Sequence, residues 1–140
     1  MMYRRLLVAN DSSAGGAKAL AAALELAQRL NVELDMICVE ELPRLPVSIG
    51  EVREERAEAG RMFRRVIERA REQAQASGVV FDAHVVAGHA VTSIVEFVER
   101  GRYDLLVVGY LGHSALYNRL IGSTTDRLVE LAPCKVLVVK

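Results

Sequence analysis

Residues 105–125 read LLVVGYLGHSALYNRLIGSTT, and their order decides the fold. Four consecutive apolar residues, Leu105 to Val108, make a short strand apolar on both faces, the pattern of a covered parallel sheet. Gly109 ends the strand, and an irregular stretch runs on to Gly122. Ser123, Thr124 and Thr125 supply capping hydroxyls. Leu128, Val129 and Ala132 share one face at helical spacing, which predicts a helix over 123–132 that Pro133 breaks. A buried strand, a glycine-punctuated turn and an amphipathic helix together form the repeating unit of an α/β domain.

The same alternation extends in both directions. Downstream, Val136 to Val139 is a final apolar strand. Upstream, Leu6 to Ala9 is a first strand, with Asp11, Ser12 and Ser13 available as caps for a helix carrying Leu20, Leu24, Ala27 and Leu30. Asn31 is a left-handed stop for that helix. Leu34 to Val39 is a second strand. A helix over 51–76 follows a loop that contains Pro43 and Pro46 and ends at Gly50. Its apolar stripe is Ala59, Met62, Phe63, Val66, Ile67, Ala70 and Ala74, and Ser77-Gly78 stops it. Val79 to Val86 is a third strand, and a third helix carries Val91, Ile94, Val95 and Val98 until Gly101. The order βαβαβαβαβ predicts one domain over residues 1–140, with a parallel sheet wrapped by helices through right-handed crossovers.

Composition narrows the function classes. The chain has 140 residues, 51% of them apolar but only 5% aromatic, so its core is aliphatic. Eighteen basic residues balance eighteen acidic ones, which argues against nucleic acid as a partner. The arginines from Arg53 to Arg71 alternate with Glu54, Glu55, Glu58 and Glu68, the mark of a solvated helix face. Cys38 and Cys134 have no metal-ligand spacing and are expected as free thiols. No apolar run approaches membrane-spanning length, and the run before Asp11 is too short for a secretory leader. The expectation is a cytoplasmic protein that does not engage a membrane.

The turn between Gly109 and Ser123 meets three demands of phosphate binding. Glycine lets a phosphate approach the backbone closely. A helix N-terminus offers unpaired N–H groups and partial positive charge. Ser123, Thr124 and Thr125 add hydroxyl donors. The alternative is that the glycines only shape a turn and Ser123 only caps a helix. Asp11, a carboxylate at the carboxyl end of the first strand, is an acceptor for ribose hydroxyls, or the N-cap of the first helix, or both. The loop is not a Walker-type P-loop, and Gly15-Gly16 does not form a dinucleotide fingerprint. Among the histidines, His113 follows Gly112 and is the best placed for a phosphate contact, with loop surface as the alternative. His84 and His89 are read as edge or surface residues.

Gly109, Gly112, Gly122 and Ser123 together fit the pattern G-x2-G-x9-G-[S/T], which resembles the ATP-binding motif of the universal stress protein family. The opening LLVANDSS and the closing APCKVLVVK also resemble that family's first and last strands, so the likeness covers essentially the whole chain. It implies a Rossmann-like, adenine nucleotide alpha hydrolase-like fold, a five-stranded parallel doubly wound sheet in the order 3-2-1-4-5 with helices on both faces. It implies ATP as ligand, with Asp11 and Val39 on the adenosine side, Val108 beside the base or ribose, and Gly112, Gly122, Ser123 and Thr124 on the phosphates. Mg2+ would bridge the phosphate oxygens. Three residues depart from what relatives often carry: Ser12 in place of glycine, Tyr110 after the first motif glycine, and His89 in place of proline.

No set of base, nucleophile and charge-stabilising groups stands out; Arg119 in the loop is as well read as a solvated residue. The expectation is therefore a nucleotide-dependent stress-response or signalling module with at most slow ATP hydrolysis. The alternatives are an ATP-hydrolysing or adenylyl-transferring enzyme, or a dimeric interaction protein that binds cyclic AMP or no nucleotide. The apolar last strand, Val136 to Val139, would lie at a sheet edge. With the resemblance it implies a homodimer formed by pairing that strand across a two-fold axis. A further protein partner is expected and not identified by the sequence, and the loop from Glu40 to Gly50 is a lid or a partner contact.

Overall fold

Leu6, Leu7 and Val8 are fully buried, because the strand that carries them is covered on both faces and both edges. In the computed structural model, which describes residues 3–41, 48–110 and 123–140, this strand is β1 (Arg5–Ala9). It pairs in parallel with β2 (Glu33–Glu41) on one side and with β4 (Leu105–Gly109) on the other. β3 (Phe81–Gly88) pairs with β2, and β5 (Lys135–Val139) with β4, so the sheet order is β3-β2-β1-β4-β5. This is the expected five-stranded, all-parallel, doubly wound sheet.

Alternation along each strand sorts the core into two layers. Leu6, Val8, Met36, Cys38 and Val107 face α1 (Ala14–Leu30) and α2 (Ile49–Ser77), meeting Leu20, Leu24, Phe63 and Ala70. Leu7, Ile37, Leu106 and Val108 face α3 (Ala90–Gly101) and α4 (Ser123–Leu131), meeting Ile94, Val98 and Leu128. The winding reverses between β1 and β4. That leaves a crevice outside their carboxyl ends, where ligands of open α/β sheets bind.

The element boundaries correct several expectations. α2 begins at Ile49 and contains Gly50, because Ser48 and Glu51 form a reciprocal capping box there. β3 starts at Phe81 rather than Val79: Gly78 takes a left-handed conformation, and the Val79 N–H closes the helix end on Ala74 O at 3.0 Å. Asn31 is a left-handed cap as expected, but α3 stops on left-handed Arg102, with Gly101 still helical. Gly101 is required for space, since a Cβ there would strike the Tyr103 ring. Met62 does not join the buried stripe of α2. It is 40% exposed and reaches the turn after β1. Cys38 and Cys134 are free, and among the described residues no helix is long and apolar enough to cross a membrane.

Candidate functional site

Two turns meet at the carboxyl end of the sheet. The first, Asn10 to Ser13, leads from β1 into α1. Ser13 is the N-cap, its Oγ accepting the Gly16 N–H at 3.1 Å. Asp11 is therefore not the cap. Its Oδ1 braces the cap by accepting the Ser13 N–H at 3.0 Å and the Ser13 hydroxyl, while the residue stays exposed. Ser12 has a φ of 70°. Its N–H donates to Asn10 Oδ1 at 2.9 Å, and its hydroxyl to Met62 Sδ at 3.2 Å. Cys38 lies below on the same side of the sheet. Burial, with a smaller contribution from Asp11's charge, pushes its thiol up to about 12, so it is no nucleophile at neutral pH.

The second turn joins β4 to α4. A Cβ at Gly109 would lie 2.8 Å from the carbonyl carbon and oxygen of Gly15, a separation real side chains do not tolerate. Gly109 thus has a packing reason of its own: it lets the first turn of α1 press against the end of β4. The Gly109 carbonyl accepts the Thr125 hydroxyl at 2.7 Å. Thr125 is buried and tied to the backbone, which removes it from the hydroxyls available to a ligand. Ser123 is exposed and Thr124 half-buried at the start of α4. Asp126 adds a carboxylate to that same first turn, a charge the sequence reading did not weigh. Tyr110 turns toward β5, its N–H donating to Val139 O at 2.8 Å and its ring lying under the Lys140 ammonium at 5.3 Å.

The structure brings Asp11, Gly109, Ser123 and Thr124 to the same end of the sheet. The Val108 side chain packs into the α3/α4 layer, and Val39 packs against the same layer, half-buried. Gly112, His113, Arg119 and Gly122 lie outside the described residues, as do residues 42–47 with Pro43 and Pro46. His89 is the exposed N-cap of α3 and makes no side-chain capping bond. His84 lies mid-strand in β3, opposite Ile37, with its Nε2 3.5 Å from Asp35 Oδ2 and its ring against Phe97. Sequence reasoning passed over two polar groups here. Asn10 is nearly fully buried. Glu40, one residue past Val39, has a buried Oε1 with no hydrogen-bond partner among the described residues. Only its place at the end of a strand could have drawn attention to it. No group of three or more His, Cys, Asp or Glu among the described residues is arranged to hold a metal ion.

Comparison with known proteins agrees with this arrangement. The sequence model described as the Universal stress protein family matches residues 2–140. The Universal stress protein YxiE of Bacillus subtilis is 30% identical over 151 residues, covering 99% of this chain and 100% of that protein. Among solved structures, universal stress protein UspA from Lactobacillus plantarum superposes with a TM-score of 0.86 at 22% identity, covering 99% of this chain and 98% of that one. A universal stress protein solved in complex with cAMP gives a TM-score of 0.78 at 26% identity, covering 100% of this chain and 99% of that one.

Proposed function

This chain belongs to the universal stress protein family, and from that premise we propose that it binds ATP in the crevice between the carboxyl ends of β1 and β4. The observation that carries this reading is that the turn after β1, the end of β4 and the start of α4 lie together where the winding reverses. The turn after β1 presents the exposed carboxylate of Asp11, and α4 presents its N-terminus with Ser123 and Thr124. Asp11 takes the ribose hydroxyls, Val39 and Val108 border the adenosine, and Gly109, Gly112, His113, Gly122, Ser123 and Thr124 surround the phosphates. Asp11 and the Asp126 carboxylate in the first turn of α4 add negative charge at this end of the sheet, and a divalent cation, Mg2+, would offset their repulsion of the phosphates.

The protein then acts as a nucleotide-dependent stress-response or signalling module in the cytoplasm, in which ATP occupancy alters partner choice. Any catalysis is slow ATP hydrolysis, in keeping with a sequence in which no set of base, nucleophile and charge-stabilising groups stands out. The neighbour solved with cAMP makes cyclic AMP the competing ligand. The test is to denature the purified protein, identify released nucleotide by mass spectrometry, and titrate ATP, ADP, AMP and cyclic AMP with and without Mg2+ by calorimetry. ATP with Mg2+ is expected to bind tightest, and Gly122→Val to abolish binding in a folded protein. ATP binding as tight in that variant as in the parent sinks the phosphate-loop assignment.

β5 is an edge strand with Leu137 exposed beside half-buried Val136 and Val138. We place a homodimer on this edge, which pairing would protect from aggregation. Val138→Glu is expected to give monomer or aggregate by light scattering, and an unchanged dimer counts against this interface.

A further inference from the structure

Three described non-glycine residues have positive φ, and two of them, Asn31 and Arg102, are helix C-caps. Ser12 is the third, at φ 70°, and it precedes a helix. A serine in the left-handed region carries a steric cost that glycine does not, so a compensating contact is needed to hold it. That contact comes from Asn10, whose Oδ1 accepts the Ser12 N–H at 2.9 Å. Asn10 is only 5% exposed. Its own N–H is bonded to Ile37 O at 3.0 Å, and its Nδ2 rests 3.6 Å from Met36 Sδ. The amide is thus fixed on β2 and cannot follow the turn. Space for it comes from Gly16, where a Cβ would collide with Asn10 Oδ1.

Asp11 lies between the anchored Asn10 and the constrained Ser12. Its Oδ1 is engaged by Ser13, so the direction of the carboxylate follows from the backbone on either side. We propose that Asn10 is a positioning residue for the nucleotide site: its buried amide holds Ser12 left-handed, and this presents Asp11 to the ribose hydroxyls. The proposal rests on the ATP-binding reading above. Asn10 itself is buried and acts through its neighbours. The Ser12 hydroxyl is directed away to Met62 on α2, so Ser12 contributes through its backbone.

A double-mutant cycle separates this role from simple support of the fold. Asn10→Leu keeps the shape of the side chain and removes the acceptor, and Asn10→Ala is the smaller second variant. Each is expected to weaken ATP binding about tenfold by calorimetry, a change of about 1.4 kcal/mol, and to speed hydrogen exchange at the Ser12 amide. Ser12→Gly, which adopts positive φ freely, is expected to bind ATP within about twofold of the parent. Combined with Asn10→Ala, it should restore affinity to within about threefold of Ser12→Gly alone, while the melting temperature stays low because the buried amide is still missing. Parent-like affinity in Asn10→Ala, or failure of Ser12→Gly to rescue it, overturns the proposal. A parent protein that binds no adenine nucleotide overturns the functional reading itself, and with it the role of Asn10 in binding.

Discussion

The two ends of the sheet are built from similar residues for different purposes. At the amino end the charged groups close on one another. Arg5 donates to Asp35 at 3.1 Å and to the Gly101 carbonyl at 2.6 Å, and its guanidinium stacks over the Tyr103 ring at 4.5 Å. The Tyr103 hydroxyl donates to the same Asp35 oxygen. Burial, reinforced by that bond, raises the Tyr103 hydroxyl well above its ordinary value, so it stays a donor at every working pH. Asp104 accepts the N–H groups of Arg4 and Arg5 at 2.6 and 2.8 Å. At the carboxyl end, Asp11 is exposed and Glu40 Oε1 has no partner among the described residues. The amino end ties separate elements together through charged groups, whereas at the carboxyl end the polar contacts fix a helix cap and a left-handed turn and leave Asp11 at the surface. Division of this kind is expected when ligands bind only at the carboxyl ends of strands.

The sharpest way to break this comparison is to delete one carboxylate from each end. Asp35→Ala leaves Arg5 and Tyr103 without their shared acceptor and should cost about 1–3 kcal/mol by denaturant unfolding, the range for a buried donor left unsatisfied, with ATP affinity of the folded fraction unchanged. Asp11→Ala should weaken ATP about tenfold or more, while its stability falls by only about 1 kcal/mol, the loss of its brace on the Ser13 cap. If both variants lose stability equally and binding equally, the two ends are not functionally distinct.

Gly109→Ala probes the point where both purposes meet. Its Cβ must push back the Gly15 backbone, at a cost of about 1–3 kcal/mol. Because Gly15 belongs to the first turn of α1, ATP affinity should fall together with stability. A loss of affinity without loss of stability would mean that the glycine serves only the approach of phosphate.

The smallest expected effect is at Asp104. Two backbone N–H groups, those of Arg4 and then Arg5, hold its carboxyl below the ordinary aspartate value. The folded state therefore binds the proton less readily than the unfolded chain. The resulting stability is present above the ordinary aspartate value, near pH 4, and is lost as pH falls through the folded value. Asp104 is partly exposed, so solvent screening keeps the contribution under about 1 kcal/mol. Asp104→Asn should be slightly less stable than the parent at pH 7, and the gap should close as pH falls below the ordinary aspartate value. A gap that widens with acid would reverse the assignment.

The central strands were legible because burial on both faces writes itself as continuous apolar runs, as in Leu6 to Val8 and Leu105 to Val108. Asn31 and Gly78 were legible as left-handed caps because helix periodicity stops just before them. Gly101 misled, because glycine serves close packing as well as positive φ, and only the position of the Tyr103 ring separates the two. The capping box of Ser48 and Glu51 was obscured by Gly50 between them. Asp35 reads as an interruption of an apolar strand. Its partners Arg5 and Tyr103 lie 30 and 68 residues away, beyond any periodic signal. At the carboxyl end Asp11 and Gly109 stood out by residue type and position. The left-handed Ser12 did not, since the asparagine that supports it looks in sequence like an ordinary end of a strand.

The strand order also sets a schedule for folding. β1 lies at the centre of the sheet, yet one of its two hydrogen-bonding edges is filled by β4, with Leu6 opposite Leu105. During synthesis at about 5–20 residues per second, that edge stays open for roughly 5–20 s after β1 leaves the ribosome. β2 and β3, which neighbour β1 on its other side, are both made well before then. The crevice between β1 and β4 comes into being only when β4 arrives, so the nucleotide binding proposed above requires most of the chain to have been made.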